Sequence, residues 1–213
     1  MQNRMYLLAI GICVVIISWS IVKSKAQVEM PEKLTNQETL MNLYTKKILP
    51  LFSEYDSIKF PSHYVIDKND NTINAGAASG YIEVSQGLVD APIDTIRIFV
   101  MAHELAHMAT LAQASLFNLG NEIPNGKLTN IYKKAELLAD LIAFYKITVH
   151  LPKMARLMKQ DFNVLKILFG NETFTHPSGK RRIEQLLIFA EKTKTMSNVD
   201  AFKVSFTDIW EME

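Results

Sequence analysis

Residues 103–107 read His-Glu-Leu-Ala-His. On a helix, positions i and i+4 lie on one face, so His103 and His107 can offer two imidazole nitrogens to one cation. Glu104 falls beside that face. Its carboxylate can reach a hydrolytic water without ligating the metal. A chain of this composition gives roughly 0.007 such patterns by chance. The flanking run, IRIFVMAHELAHMATLAQASLF, is apolar on most sides. Two histidines and a glutamate would be costly to bury there without partners, and a cation supplies one.

A catalytic zinc normally has three protein ligands and one open position. No further histidine occurs between Met108 and Phe117, so the third ligand comes from another element. Glu136 is the candidate, in Ala135-Glu136-Leu137-Leu138-Ala139-Asp140. Glu136 and Asp140 share a helical face at i,i+4. Glu136 can ligate while Asp140 accepts a ring N–H from a ligating histidine, which fixes its tautomer. The alternative is a pair of solvent-facing acids. The surrounding Leu137, Leu138, Ala139, Leu141 and Ile142 leave that alternative little polar face. The expected cofactor is one Zn2+ per chain.

Composition narrows the field further. One cysteine excludes an internal disulfide framework and a Cys-rich zinc module. A net charge of +1 gives no electrostatic reason to expect nucleic acid. At 213 residues the chain suits one domain with a short appendage.

That appendage is N-terminal. No charge occurs between Arg4 and Lys23, and the intervening MYLLAIGICVVIISWSIV is apolar. As a helix it would span roughly 27 Å. Two readings stand for residues 1–26: a retained membrane anchor, or a signal peptide cut near Ser24-Lys25-Ala26. Either puts residues 27–213 outside the cytoplasm, membrane-anchored or secreted, with the membrane as a partner through this segment. Basic residues balance on the two sides, so orientation is open. No second apolar run of this length exists, which argues against a multi-span intramembrane protease.

The elements that must position the site follow from periodicity. Residues 34–55 read as helix, with Pro50 as a kink or break. His63–Asp67, residues 72–77 and Tyr81–Ser85 read as strands. Asp90-Ala91-Pro92 reads as the start of a helix running to about Phe117. A loop over 118–127 leads to a second long helix at about 128–149. Shorter helices are expected at 152–169, and Ser178 as the cap of a last helix through about Thr195. The acidic end, DIWEME, has no placement. The expected fold is α+β and predominantly α-helical, with a small sheet beside the zinc-binding helix and one hydrophobic helix before it.

Four blocks in order resemble the gluzincin peptidases grouped with the CaaX prenyl protease and the bacterial membrane heat-shock zinc protease, small periplasmic relatives included. They are Asn74-Ala75-Gly76-Ala77 through Gly80–Leu88, His103–His107, Glu136-x-x-Ala139-Asp140, and Thr175-His176-Pro177-Ser178 with Arg182-Ile183 following. They cover roughly residues 60–190. The chain departs from the family pattern at Gly76, where an aromatic residue is common.

The resemblance implies a zincin-like fold and a zinc-dependent endopeptidase acting on proteins or peptides. By resemblance, the strand Gly80, Tyr81, Ile82, Glu83, Val84 and Ser85 edges the cleft and holds an extended substrate. His176 is implied either as a catalytic oxyanion donor or as a fourth ligand that plugs the site; a plain helix-start histidine before Pro177 is the third possibility. Arg182 is expected to orient the loop or the carboxylates, unless it is a solvated base. A role in envelope protein quality control fits this class. The rival expectation is a zinc-stabilised chaperone or assembly factor with little proteolysis.

Overall fold

Thr35 opens the described fold with a reciprocal cap. Its hydroxyl accepts the Glu38 N–H while the Glu38 carboxylate accepts the Thr35 N–H. Helix α1 (Asn36–Leu43) then runs into a π-helical turn, Tyr44–Ile48, and a 3-10 turn, Leu49–Phe52. Pro50 lies in that last turn, where its missing N–H is tolerated. The computed structural model describes residues 34–78 and 80–213, and Thr35–Glu213 forms one unit. The expected N-terminal membrane segment lies outside the described residues.

Three short strands follow: β1 (Val65–Asp67), β2 (Ala75–Ala78) and β3 (Tyr81–Ser85). Their order is β1-β3-β2, with β1 parallel and β2 antiparallel to β3. This bears on the expectation that Gly80–Ser85 holds an extended substrate, which would need an unpaired edge. The Tyr81–Ser85 strand is the middle of the sheet, and β2 is an edge. The alternation in β3 reflects its two faces: Ile82 and Val84 are fully buried while Tyr81 and Glu83 are exposed. Ser85 is a structural knot. Its hydroxyl accepts the Leu88 N–H to cap α2 (Gln86–Val89) and also accepts the N–H of Asn74 just before β2.

Helix α3 (Asp94–Leu116) starts later than Pro92. Asp90 does not cap it. The Asp90 carboxylate accepts side-chain N–H groups from Gln86 and Asn36, closing α2 against α1. α3 stops where Asn118 takes a left-handed φ of 58°, a conformation asparagine tolerates. After the loop, Asn130 caps helix α4 (Ile131–His150) by accepting the Lys133 N–H.

α3 and α4 pack along one another at the centre of the fold. Phe99, Ala102, Leu105, Ala106 and Ala109 meet Leu137, Leu138, Leu141 and Phe144 in one buried cluster. The rest of the fold wraps these two helices.

The expected 152–169 region is two helices, α5 (Pro152–Gln160) and α6 (Phe162–Phe169). Ser178 does cap α7 (Gly179–Lys192). Gly179 is required there by a close approach: a Cβ would lie 2.0 Å from the Lys166 carbonyl oxygen of α6. α7 is not the last helix. Ser197 caps α8 (Asn198–Trp210), which buries Phe202, Phe206 and Ile209 and absorbs the first half of the unplaced acidic end. The fold is therefore mostly helical with a small three-stranded sheet, as expected of its class. Among the described residues no helix is long and apolar enough to cross a membrane.

Candidate metal centre

His103 and His107 stand one turn apart on α3, and Glu136 stands in the second turn of α4. The packing of these two helices brings the three side chains to one point. The two Nε2 atoms are 3.0 Å apart. Glu136 Oε2 is 3.4 Å from His103 Nε2, and Glu136 Oε1 is 3.1 Å from His107 Nε2. Ligands at zinc distances of ~2.0–2.1 Å in a tetrahedron sit about 3.3 Å from one another. The spacing fits, and the group can hold a metal ion.

Behind the ligands lies a buried polar support. Asp140, with no exposed surface, places Oδ1 2.9 Å from His103 Nδ1. That contact aims His103 Nε2 at the shared point. Arg182, on the first turn of α7, donates from Nε and Nη2 to the two Asp140 oxygens, both at 2.7 Å. Its Nη1 lies 3.2 Å from Glu136 Oε2, and its guanidinium lies over the Phe169 ring at 3.7 Å. Arg182 is therefore buried beside the carboxylates and is not a solvated base. Two carboxylates, Glu136 and Asp140, contact this one guanidinium. Glu104 adds a third acidic group to the cleft, so acidic groups outnumber the guanidinium, an excess that suits a cation.

The titration behaviour follows from that charge. Burial opposes protonation of His103, but the Asp140 and Glu136 carboxylates outweigh it and raise the imidazole to about 10. Burial also opposes ionisation of Glu136, yet hydrogen bonds from His103 and His107 hold its carboxyl well below the ordinary range. Glu104 goes the other way. Burial pushes it up, partly offset by the two imidazoles and by the Ala77 N–H. A metal requires the neutral ring, so binding displaces a proton from His103. Affinity should therefore rise with pH, about tenfold per unit between roughly pH 7 and 9. Titrations in buffers of different ionisation enthalpy would report about one proton released per ion near pH 7.

These groups open into a cleft of about 630 Å³. His103, Glu104, His107, Glu136, His176 and Arg182 all line it, with Asp140 behind. One wall is the edge strand and its approach, Ile73–Ala77. The opposite wall is apolar: Phe99 and Val100 from α3 with Leu165, Leu168 and Phe169 from α6. None of Gly80–Ser85 lines this cleft. Tyr81, Glu83, Val84 and Ser85 border a separate, smaller depression with Asp67 and Asp70. The peptide-holding role expected of β3 is corrected on that ground, since its backbone is engaged by both neighbouring strands.

His176 sits half-exposed on the loop between α6 and α7, with Nε2 3.7 Å from Glu136 Oε1. The Thr175 hydroxyl lies 2.7 Å from its Nδ1, and the His176 N–H donates to the Thr173 hydroxyl. Across the loop, Asn130 donates to the Phe174 carbonyl and Lys133 pairs with Glu172. The loop is thus fastened to the start of α4, two turns or fewer from Glu136.

Some lining residues escape a motif-based reading. Val100 and Phe99 precede His103 by three and four positions, so helical geometry alone puts them on its face. Nothing in Phe162–Phe169 distinguishes a cleft wall from ordinary core.

No family model, curated protein or solved structure matches this chain. The site's own geometry carries the functional conclusion.

Proposed function

We propose that the chain is a zinc-dependent endopeptidase of the gluzincin type, in a zincin-like fold. The observation that carries this is the convergence of His103, His107 and Glu136 on one point, with Glu104 left unligated at the floor of the same open cleft. A purely structural zinc site is normally closed by four protein ligands and needs no base. Zinc held by these three residues would polarise a carbonyl and make a water nucleophilic near neutral pH.

The chain's own groups supply the rest. Glu104, its acidity weakened by burial, takes the proton from the attacking water and passes it to the leaving amine. The outer edge of β2 offers backbone groups to an extended substrate, because no strand pairs with it there among the described residues. His176, turned by Thr175, can donate from Nε2 to the developing oxyanion. Asp140 and Arg182 position His103 and Glu136.

The apolar wall of Val100, Leu165, Leu168 and Phe169 implies substrates with a large apolar side chain beside the scissile bond. Replacing such a residue by aspartate in a peptide should lower kcat/KM on the order of 10–100-fold, since a charge would be desolvated without a partner. A peptide library cleaved equally well with acidic residues at both flanking positions would contradict this.

The direct test is proteolysis of casein or an unfolded peptide by the zinc-loaded chain, with and without chelator. Cleavage that is lost on chelation and restored by zinc supports a peptidase. Prevention of aggregation with no cleavage would favour the chaperone alternative.

A further inference from the structure

Helices α5 and α6 leave apolar side chains in solvent that core packing does not explain. Their inner faces bury Ala155, Met158, Phe162 and Leu165. On α6, Val164, Ile167 and Leu168 share another face at i, i+3 and i+4. Ile167 is 75% exposed, and Leu157 on α5 is 48% exposed. Lys153, Arg156, Lys159 and Lys166 are exposed on the same two helices. From Leu141 to Asn171 the single acidic residue is Asp161, and its carboxylate is engaged by the Thr95 hydroxyl. These four cations therefore have no exposed carboxylate within their own stretch of chain.

Two kinds of macromolecule could cover this surface. Protein interfaces favour aromatic residues and disfavour lysine. This surface has three lysines and no exposed aromatic residue on its two helices. Apolar side chains flanked by Lys and Arg match an anionic lipid surface instead. The aliphatic groups enter the acyl boundary, and the cations meet phosphates and screen little of one another's attraction to them.

We propose that the outer faces of α5 and α6 seat this domain on an anionic bilayer surface. Leu168 belongs both to that surface and to the wall of the cleft. Seating would bring the cleft's apolar rim beside the lipid, where polypeptide emerging from a membrane is within reach. The inference does not depend on catalysis, so it can fail or stand separately from the peptidase reading.

The test uses the full chain with Cys13, its only cysteine, replaced by serine. A single cysteine is placed at Ile167 (Ile167→Cys) or at the exposed control Lys194 (Lys194→Cys), and labelled with a polarity-sensitive fluorophore. Each protein is reconstituted into phosphatidylcholine vesicles containing about one-third phosphatidylglycerol. The label at 167 should shift to the blue and be quenched by lipid-borne nitroxides, while the label at 194 should not. The triple variant Lys153→Glu, Arg156→Glu, Lys166→Glu should reduce lipid contact at 167 on the order of a hundredfold, and the matching Lys→Arg changes should preserve it.

A label at 167 that stays in water overturns the proposal, as does equal insertion into pure phosphatidylcholine. So does a blue shift seen without vesicles and insensitive to lipid quenchers, which would assign the surface to a protein or to a second copy of the chain.

Discussion

Glu104→Gln is expected to abolish peptide-bond cleavage while leaving the metal bound. The side chain is the one carboxylate at the centre that approaches neither histidine's ligating nitrogen nor Arg182 within ion-pair distance. Burial raises its pKa, the direction that suits a general base near neutral pH. The amide keeps the volume and can still accept from the Ala77 N–H, so the fold should be unchanged. It cannot take up the proton. General acid–base contributions run about 10²–10⁴-fold, so a loss of that order in kcat with little change in KM is the expected result. Steady-state kinetics on the zinc-loaded variant checks it. Cleavage at the original rate would remove Glu104 from the reaction.

Asp140→Asn should strike the metal and the fold together. Asp140 is fully buried, accepts two hydrogen bonds from Arg182, and faces His103 Nδ1. An amide turns one of those acceptors into a donor facing a donor. It also leaves the buried guanidinium with only the Glu136 carboxylate close by. Loss of one partner of a buried pair costs on the order of 3 kcal/mol, and loss of such a support weakens metal binding about 10–100-fold. The two effects separate in a double variant. Adding Arg182→Met removes the stranded charge and should recover part of the stability, while metal affinity stays low. Denaturant titration and competitive zinc titration measure the two quantities. A metal affinity unchanged in Asp140→Asn would mean that the Asp140–His103 contact does not orient the ligand.

Much of this centre was legible in the sequence because it is written in helical spacing. His103 and His107 at i,i+4, and Glu136 and Asp140 at i,i+4, each fix which side chains share a face before any tertiary structure is known. Chain order says nothing of how two helices cross. The convergence itself rests on the packing of α3 against α4, which the apolar character of both helices permits but does not specify.

The sheet shows the opposite case. Alternation in Tyr81–Ser85 marks a strand with two different faces, and a central strand shows that better than an edge strand does. Asn74–Ala77 carries small side chains and almost no pattern, because its contribution to the cleft is backbone. The C-terminal helix was missed for a different reason. Ala201, Phe202, Ser205, Phe206 and Ile209 do repeat at helical spacing, but the acidic residues around them mask the stripe. Their buried positions against the fold make it plain.

The most direct measurement is the metal content of the purified full chain and its ligand variants. One zinc per chain is expected in the unaltered protein and in Glu104→Gln. A His103→Ala, His107→Ala double variant should hold none, and Glu136→Gln should need at least ~10²-fold more free zinc to fill. Zinc binding that is indifferent to Glu136, or no zinc retained by the unaltered chain at micromolar free metal, would contradict a centre shared between α3 and α4.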